Sequence, residues 1–312
     1  MRAADDQNRG PTNIKVFWSP LFDLPVAAHR RFPYSKYRLL KERLVGEGIV
    51  SGDHLFRSPL ADRETLLLAH DVAYVDRVLG NALSADELRR IGFQEGVELA
   101  ERARASVGGA VASAQAALET GLAGHLAGGT HHAHADHGSG FCILNDHAVA
   151  ALKLLDTGAA RRVAILDLDV HQGDGNAAIL ATEPRALVVS VHGANNFPFE
   201  KATSDVDLEL PDGAGDDAYC AACAQATDIV LAWRPDIVLF QAGVDALATD
   251  RLGRLDVTLA GLARRDLTVF ETLGGANIPI SMAIGGGYAD PITATVDAYA
   301  QTYRVAKDVY GF

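Results

Sequence analysis

The stretch RVAILDLDVHQGDGN (162–176) decides the fold of this chain of 312 residues. Its first part, RVAILDLDV (162–170), is a near-continuous apolar run, which is typical of a strand that helices cover on both faces. The polar residues of HQGDG follow directly. In open α/β sheets, ligands bind outside the carboxyl ends of the strands, so this segment predicts both a parallel sheet and the edge at which its chemistry lies.

The rest of the chain repeats this pattern of apolar runs separated by longer amphipathic segments. Further predicted strands are IKVFW (14–18), ALVVSVH (186–192), DIVLFQAG (236–243) and PISMAIGGG (279–287). Predicted helices cover 36–48, 98–120 and 145–158. The alternation predicts an α/β fold: a doubly wound, mostly parallel sheet flanked by helices. We find no linker, so residues 14–312 are predicted to form a single domain after a disordered N-terminal tail, residues 1–13.

Residues whose side chains can bind metal or move protons follow the carboxyl ends of four predicted strands. HLAGG leads into THHAHADHG, AILDLDV into HQGDG, LFQAG into VDALATD, and AIGGG into Tyr288. Because the carboxyl ends of parallel strands share one edge of the sheet, we expect these histidines, carboxylates and phenol to meet in one crevice.

The DxDxH run favours a metal site. Asp167, Asp169 and His171 alternate along the end of one strand, so their side chains leave on the same side. Asp169 and His171 can bind one ion while Asp167 supports the site. Asp245, past the next strong strand, is the natural third ligand, because catalytic zinc takes three protein ligands and keeps one open position. The alternative for this run alone is a loop of caps and ion pairs.

His131 and His132 are adjacent and, in a turn, can both face the crevice. Two imidazoles beside zinc-activated water give a base for the water and an acid for the leaving amine. Each needs a carboxylate on its far nitrogen, for which Asp167 and Asp174 are candidates. Tyr288, after three glycines, can donate to an oxyanion, although a half-buried tyrosine in a glycine-rich loop is the alternative. We assign surface or capping roles to three other histidines: His134, His137 and His147.

Composition narrows the partners. The net charge of −12 and a pI near 5.3 argue against nucleic-acid binding, which needs clustered Lys and Arg. An acidic surface favours cationic partners such as lysine-rich peptides or polyamines, or simply maintains solubility. No apolar run is long enough to span a bilayer, and the polar N-terminus lacks a secretory signal, so we expect no membrane association and a cytoplasmic location. Cys220 and Cys223 fit an Ala-rich helix and are interpreted as buried packing residues.

Four motifs now carry a resemblance. GGTHHAHADHGSGFCILND, LDLDVHQGDGN, QAGVDALATDRLGRL and AIGGGY resemble, in the same order, motifs of the zinc-dependent histone deacetylase superfamily with its arginase/deacetylase fold. The resemblance covers residues 14 to 305. HRRFPYSKYRLLKERL and VHGANNFPF are most similar to the class IV branch and its bacterial relatives. The rim aspartate that grips substrate backbone in class I enzymes has no match here.

The resemblance implies a role for each motif residue. Asp169, His171 and Asp245 would bind zinc, and iron(II) can replace zinc in this ligand set. His131 would be backed by Asp167, and His132, the base, by Asp174; Tyr288 would stabilise the transition state. Three residues would line the substrate tunnel: Gly140, Phe141 and Phe197. Backbone carbonyls of Asp167, Asp169 and His171, with Ser190 and Val191, would hold a structural potassium ion. Arg31 would correspond to an arginine of an acetate exit channel.

The implied activity is zinc-dependent hydrolysis of acyl-lysine or related N-acyl amines, with acylated lysine peptides or small N-acyl amines as substrates. One alternative is a binuclear manganese ureohydrolase of arginase type, which uses a related α/β sheet but needs more bridging aspartates. Another is a non-catalytic protein that binds acyl-lysine.

Overall fold

A computed structural model describes residues 13–23, 32–93 and 99–312. Eight strands of this part of the chain form one sheet in the order β2-β1-β3-β8-β7-β4-β5-β6, and every pair of neighbours is parallel. The strands are β1 Lys15–Trp18, β2 Leu55–Arg57, β3 Leu122–His125, β4 Val163–Asp167, β5 Ala186–Gly193, β6 Val206–Leu210, β7 Ile237–Gln241 and β8 Ile280–Ala283. The predicted doubly wound α/β fold is confirmed, with a sheet that is parallel throughout.

Helices cover both faces of the sheet. They are α1 Ser35–Gly46, α2 Arg63–Leu66, α3 Val72–Leu79, α4 Ala85–Ile91, α5 Ala100–Thr120, α6 Asp146–Asp156, α7 Asp174–Leu180, α8 Asp216–Trp233, α9 Leu259–Gly275 and α10 Thr293–Tyr310. None of the helices in the described ranges combines the length and apolar composition that crossing a bilayer requires. The N-terminal tail predicted for residues 1–13 falls almost wholly outside the described residues.

The core lies in two layers because side chains alternate along each central strand. In β4, Ala164 and Leu166 pack on one face, while Val163 and Ile165 pack on the other. All four are fully buried. Burial of a large aliphatic side chain contributes about 1.5–3 kcal/mol, so the central strands are strongly fixed and can carry polar groups at their ends.

The strand order places the chemistry. β8, β7 and β4 are neighbours at the centre, so the segments after them emerge side by side at the carboxyl edge, and β3 beside β8 adds the segment that contains the paired histidines. The strand ahead of the paired histidines is Leu122–His125, so HLAGG (125–129), which was interpreted as the end of that strand, lies almost wholly after it.

The two edge strands, β2 and β6, were not predicted from the sequence. β2 is largely exposed. In β6 polar and apolar residues alternate, and Leu210 is its one buried residue. Edge strands therefore lack the continuous apolar run that marks buried ones.

Helix α5 lies close against the sheet and the segment before α2. A Cβ atom on Gly108 would stand 2.1 Å from the carbonyl oxygen of Pro59, so only glycine permits this approach. The amino-terminal half of α5 carries Arg102 and Ser106, both buried, toward the carboxyl edge of the sheet. Cys220 and Cys223 are buried in α8, as predicted.

Candidate active site

Asp169, His171 and Asp245 meet at the carboxyl edge of the sheet. One potential ligand atom from each lies within 4.8 Å of the other two, and all three residues are buried. His171 Nδ1 is 3.0 Å from Asp169 Oδ1 and 3.0 Å from Asp245 Oδ2. Among the described residues, this is the one group of histidine, cysteine and acidic side chains that could hold a metal ion.

Backbone amides fix the two carboxylates. Asp169 Oδ2 accepts a hydrogen bond from the Gly286 amide at 2.6 Å, and Asp245 Oδ1 accepts one from the Val170 amide at 3.0 Å. A Cβ atom on Gly286 would lie 1.8 Å from Asp245 Oδ2, so this glycine leaves the space that the carboxylate occupies. The glycine-rich turn before Tyr288 therefore helps to build the metal site.

The electrostatics of this group fit a cation. Burial and the neighbouring Asp169 carboxylate raise the pKa of Asp245 to about 7. Burial alone would lower the pKa of His171, but the Asp245 and Asp169 carboxylates offset it and raise this pKa to about 10. Two crowded carboxylates thus hold a positive charge between them. Two carboxylates and one imidazole are donors that suit zinc or iron(II).

The paired histidines each bond a different carboxylate, as the sequence predicted. His131 Nδ1 is 2.7 Å from Asp167 Oδ2, and His132 Nδ1 is 2.6 Å from Asp174 Oδ1. Their rings lie 4.1 Å apart, and both side chains are buried. Each Nδ1 therefore donates to its carboxylate, which leaves the two Nε2 atoms for chemistry in the cavity.

The two imidazoles differ in protonation. Burial lowers the pKa of His131, but the Asp167 and Asp169 carboxylates more than offset this and raise it to about 9. Burial and the charge of His131 lower the pKa of His132 to about 4, although Asp174 opposes the change. At neutral pH, His131 carries a proton to give and His132 is free to accept one.

His134 adds a contact that the sequence did not reveal. Its Nε2 lies 3.0 Å from Asp174 Oδ2, so Asp174 serves His132 and His134 together. The His134 ring stacks on His137 at 4.6 Å between centroids. The crowding of histidines in THHAHADHG was the available signal, but its spacing does not distinguish a carboxylate partner from a surface residue. His147 is buried in the first turn of α6, which corrects its predicted surface or capping role.

Tyr288 lines the same cavity as the metal group and is buried. Its amide donates to Asp250 Oδ2 at 2.6 Å, and its carbonyl accepts from Arg251 Nε at 2.9 Å. Burial, together with the nearby Asp245 and Asp169 charges, raises the pKa of the Tyr288 phenol well above its usual value. The hydroxyl therefore stays protonated and can act as a hydrogen-bond donor.

The three predicted tunnel residues surround this chemistry. Phe197 packs nearly perpendicular to His132, with centroids 4.9 Å apart, and Phe141 faces Tyr288 at 5.8 Å. A Cβ atom on Gly140 would stand 2.5 Å from the His132 ring, so glycine is required there. Gly140 and Phe141 line a cavity that reaches Asp169 and His171.

The residues proposed for potassium are grouped at the ends of β4 and β5. Asp167 is in register with Ser190, Val191 follows in β5, and Asp169 and His171 continue the β4 segment. The potassium site itself stays a prediction. Arg31, assigned to an exit channel, lies outside the described residues.

Two buried cations of the cavity were missed. Lys36 in α1 and Arg102 in α5 both line it. Their segments, KYRLLKERL and ELAERARAS, look like ordinary amphipathic helices in which charged residues are solvated. Nothing in their local pattern marks these two positions as buried.

The chain is similar to known proteins in both sequence and structure. A sequence model described as the histone deacetylase domain matches residues 30–303. The chain is 42% identical to an uncharacterized protein of Picosynechococcus sp., over 95% of this chain and 99% of that protein. It is 27% identical to histone deacetylase 2 of Arabidopsis thaliana, over 89% of this chain and 75% of that protein. The crystal structure of the HDA15 HD domain superposes with a TM-score of 0.77 at 25% identity, over 96% of this chain and 88% of the other.

Proposed function

The chain belongs to the histone deacetylase family, and from that premise we propose that it is a zinc-dependent deacylase acting on acyl-lysine or related N-acyl amines. Its sequence motifs predicted the family, and that prediction is confirmed. One observation carries the proposal: the buried group of potential metal ligands reaches, through Asp169 and His171, the cavity that His131, His132 and Tyr288 also line.

Asp169, His171 and Asp245 would hold the zinc ion. When bound, zinc polarises the substrate carbonyl and acidifies water. Neutral His132 takes the proton of the attacking water on Nε2, while Asp174 fixes the ring through Nδ1. Protonated His131 gives its Nε2 proton to the departing amine. The Tyr288 hydroxyl donates a hydrogen bond to the carbonyl oxygen as that atom becomes negative.

A binuclear ureohydrolase fits these contacts less well. In the described ranges the candidate metal group has only one histidine and two aspartates. The other acidic residues that reach the cavity chemistry, Asp167 and Asp174, are each engaged by a histidine of the pair. Within the described ranges no second group of histidine, cysteine and acidic side chains is placed to hold another ion.

Three finer features belong to the same proposal. Backbone carbonyls of Asp167, Asp169 and His171, with Ser190 and Val191, would hold potassium. The segments HRRFPYSKYRLLKERL and VHGANNFPF resemble the class IV branch, to which we propose that the chain belongs, and we propose a cytoplasmic location. Exchange of potassium for choline, followed by thermal unfolding, tests the potassium site: a lower midpoint in choline is expected, and an unchanged midpoint contradicts it.

The test of the activity is a panel of substrates with the zinc-loaded protein. It contains lysine peptides with acyl chains of increasing length, acetylpolyamines, and agmatine as a ureohydrolase substrate. We expect deacylated peptide and free carboxylate from the acylated peptides, and no urea from agmatine. Cleavage of acetylpolyamines alone would assign the chain to another branch, and cleavage of agmatine alone would contradict the proposal.

A further inference from the structure

Two cations are buried in the active-site cavity beyond the catalytic groups. Lys36 is 1% exposed, and its Nζ donates to the carbonyl oxygens of Gly285 at 3.1 Å and Gly287 at 3.5 Å. The same Nζ lies 5.1 Å from the centroid of the Tyr288 ring. The Lys36 ammonium therefore sits directly behind the glycine turn that supports the catalytic phenol.

Arg102 enters the same space from helix α5 and is 7% exposed. One terminal nitrogen lies 3.4 Å from the Tyr37 hydroxyl, while its buried Nε has no hydrogen-bond partner among the described residues. Ser106, one helical turn further along α5, also lines the cavity. A buried guanidinium nitrogen without an acceptor is costly, because a charged donor loses its hydration on burial.

Aromatic rings hold both cations but give them no counter-charge. The ring of Phe32 lies 5.6 Å from Lys36 Nζ and 5.4 Å from Arg102 Cζ. The ring of Tyr37 lies 5.5 Å and 5.7 Å from the same two atoms. Ring faces attract cations, which offsets part of the desolvation. The shared rings also show that the two positive charges are near neighbours.

Across the described ranges, no carboxylate forms an ion pair with Lys36 or Arg102. Burial lowers the pKa of Lys36 to about 8; the carboxylates of Asp245, Asp169 and Asp250 oppose this, and the charge of Arg102 adds to the lowering. Asp169 and Asp245 are committed to the metal in the proposed function. A bound anion would supply the missing negative charge.

We propose that Lys36 and Arg102 form a carboxylate subsite for the acyl group, so that the preferred substrates carry a dicarboxylic acyl chain, such as succinyl or glutaryl, on the lysine amine. This inference rests on the proposed deacylase function. The distal carboxylate accepts hydrogen bonds from Lys36 and Arg102, and the Ser106 hydroxyl adds a donor. Hydrolysis breaks the side-chain amide C–N bond and forms a C–O bond from water, which releases the lysine side-chain amine and a dicarboxylate without any further reactant.

A carboxylate in this space has two sources: the distal group of such a substrate or the carboxylate of any hydrolysed product. Paired acyl groups of equal length separate the two, because only the substrate group is present before hydrolysis. The decisive quantity is the ratio of kcat/KM for glutaryl-lysine over pentanoyl-lysine peptides, and for succinyl-lysine over butyryl-lysine peptides. The zinc-loaded full chain is used throughout.

For the wild-type protein we expect a ratio of about 10 or more, because charge-assisted hydrogen bonds discriminate strongly in buried sites. Lys36→Met and Arg102→Met should each lower that ratio by roughly 10- to 100-fold. Lys41→Met is the matched control on the same helix: its ammonium lies 3.5 Å over the Trp18 ring, and its ratio should not change. A wild-type ratio below one, or one that neither variant alters, would overturn the subsite.

Binding to the Tyr288→Phe protein separates failure of this inference from failure of the proposed function. Calorimetry there gives Kd for the glutaryl and pentanoyl peptides without turnover. Tighter binding of the glutaryl peptide, lost in Lys36→Met, supports the subsite even if no peptide is hydrolysed. Equal binding refutes the subsite while hydrolysis of neutral acyl groups leaves the deacylase intact. Should Lys36→Met fail to fold, the wild-type ratio and Arg102→Met decide.

Discussion

Two histidine–aspartate pairs lie side by side in this molecule, and their hydrogen bonds are nearly equal in length. His131 and Asp167 are joined at 2.7 Å, and His132 and Asp174 at 2.6 Å. Their protonation is nonetheless opposite: the pKa of His131 is raised to about 9, and that of His132 is lowered to about 4. The bonded carboxylate alone therefore does not determine the charge of the ring.

The surroundings of the two pairs explain the difference. His131 also faces Asp169, at 4.0 Å from its Nε2, so two carboxylates outweigh its burial. His132 faces the positive His131, and its carboxylate is shared with His134. The hydrogen bond fixes the tautomer, whereas the sum of nearby charges fixes protonation. Adjacent residues of one turn can thus supply an acid and a base.

The largest effect should come from weakening the metal site beside which both histidine–aspartate pairs act. Asp245→Asn replaces a carboxylate ligand with a neutral amide, which binds zinc more weakly. We expect zinc content to fall and acyl-lysine hydrolysis to drop to background. Asp308→Asn, at an exposed position of α10, is the control. Zinc content and turnover equal to wild type in Asp245→Asn would remove Asp245 from the ligand set.

Substitution of each histidine tests directly whether the two have different roles. His132→Ala and His131→Ala should each lower kcat by about 10²–10⁴, the range of general acid–base catalysis, with the larger loss for the base, His132. Neither residue belongs to the metal group, so zinc content should stay at the wild-type level. A loss of zinc in either variant would mean that the histidine binds metal instead of moving protons.

Substitution of Tyr288 tests the hydrogen bond to the oxyanion, which the proposed reaction needs in addition to the two histidines. Tyr288→Phe keeps the ring but removes the hydroxyl, so kcat should fall by about 10²–10³ with little change in KM. The variant should retain zinc and its unfolding midpoint. Near-normal kcat in a zinc-loaded variant would exclude the phenol from the reaction and reopen the ureohydrolase alternative.

The opposite pKa values predict a bell-shaped pH profile of kcat/KM. Activity falls as pH drops through the pKa of His132, about 4, because the base becomes protonated. It falls again as pH rises through the pKa of His131, about 9, because the acid loses its proton. Asp167→Asn removes a negative charge beside His131, so the alkaline limb should move to lower pH. An unmoved alkaline limb would assign it to another group.

The smallest effect is expected from a change beside Asp174, the carboxylate that His132 and His134 share. His134→Gln removes a side chain that can carry positive charge beside Asp174, so more of the Asp174 charge acts on His132 and its pKa should rise. The acidic limb should move to higher pH, while the alkaline limb, which reports His131, serves as the internal control. Movement of both limbs together would indicate a general structural change.

The regions that were predictable from the sequence are those in which local pattern and burial agree. β4, β5, β7 and β8 are buried on both faces, so their apolar runs identified them, and the polar residues after β4, β7 and β8 were correctly placed at one edge. The edge strands β2 and β6 were missed because half-exposed strands have no such run.

Lys36 and Arg102 mark the limit of sequence reasoning at the site. Each occupies an amphipathic helix, in which charged residues normally face solvent. Their burial results from the packing of α1 and α5 around the cavity. The side chains of Tyr37 and Arg102 meet there although the two residues are 65 positions apart in the sequence. Contacts between segments so distant in the chain leave no periodic signal in either one.

The central claim is a hydrolase that uses one metal ion held by Asp169, His171 and Asp245. Its most direct test is a titration of zinc into verified metal-free protein while hydrolysis of an acyl-lysine peptide is followed. We predict no activity without metal and a linear rise that ends at one zinc per chain. Full activity in the metal-free protein, or a plateau reached only at two ions per chain, would contradict this claim.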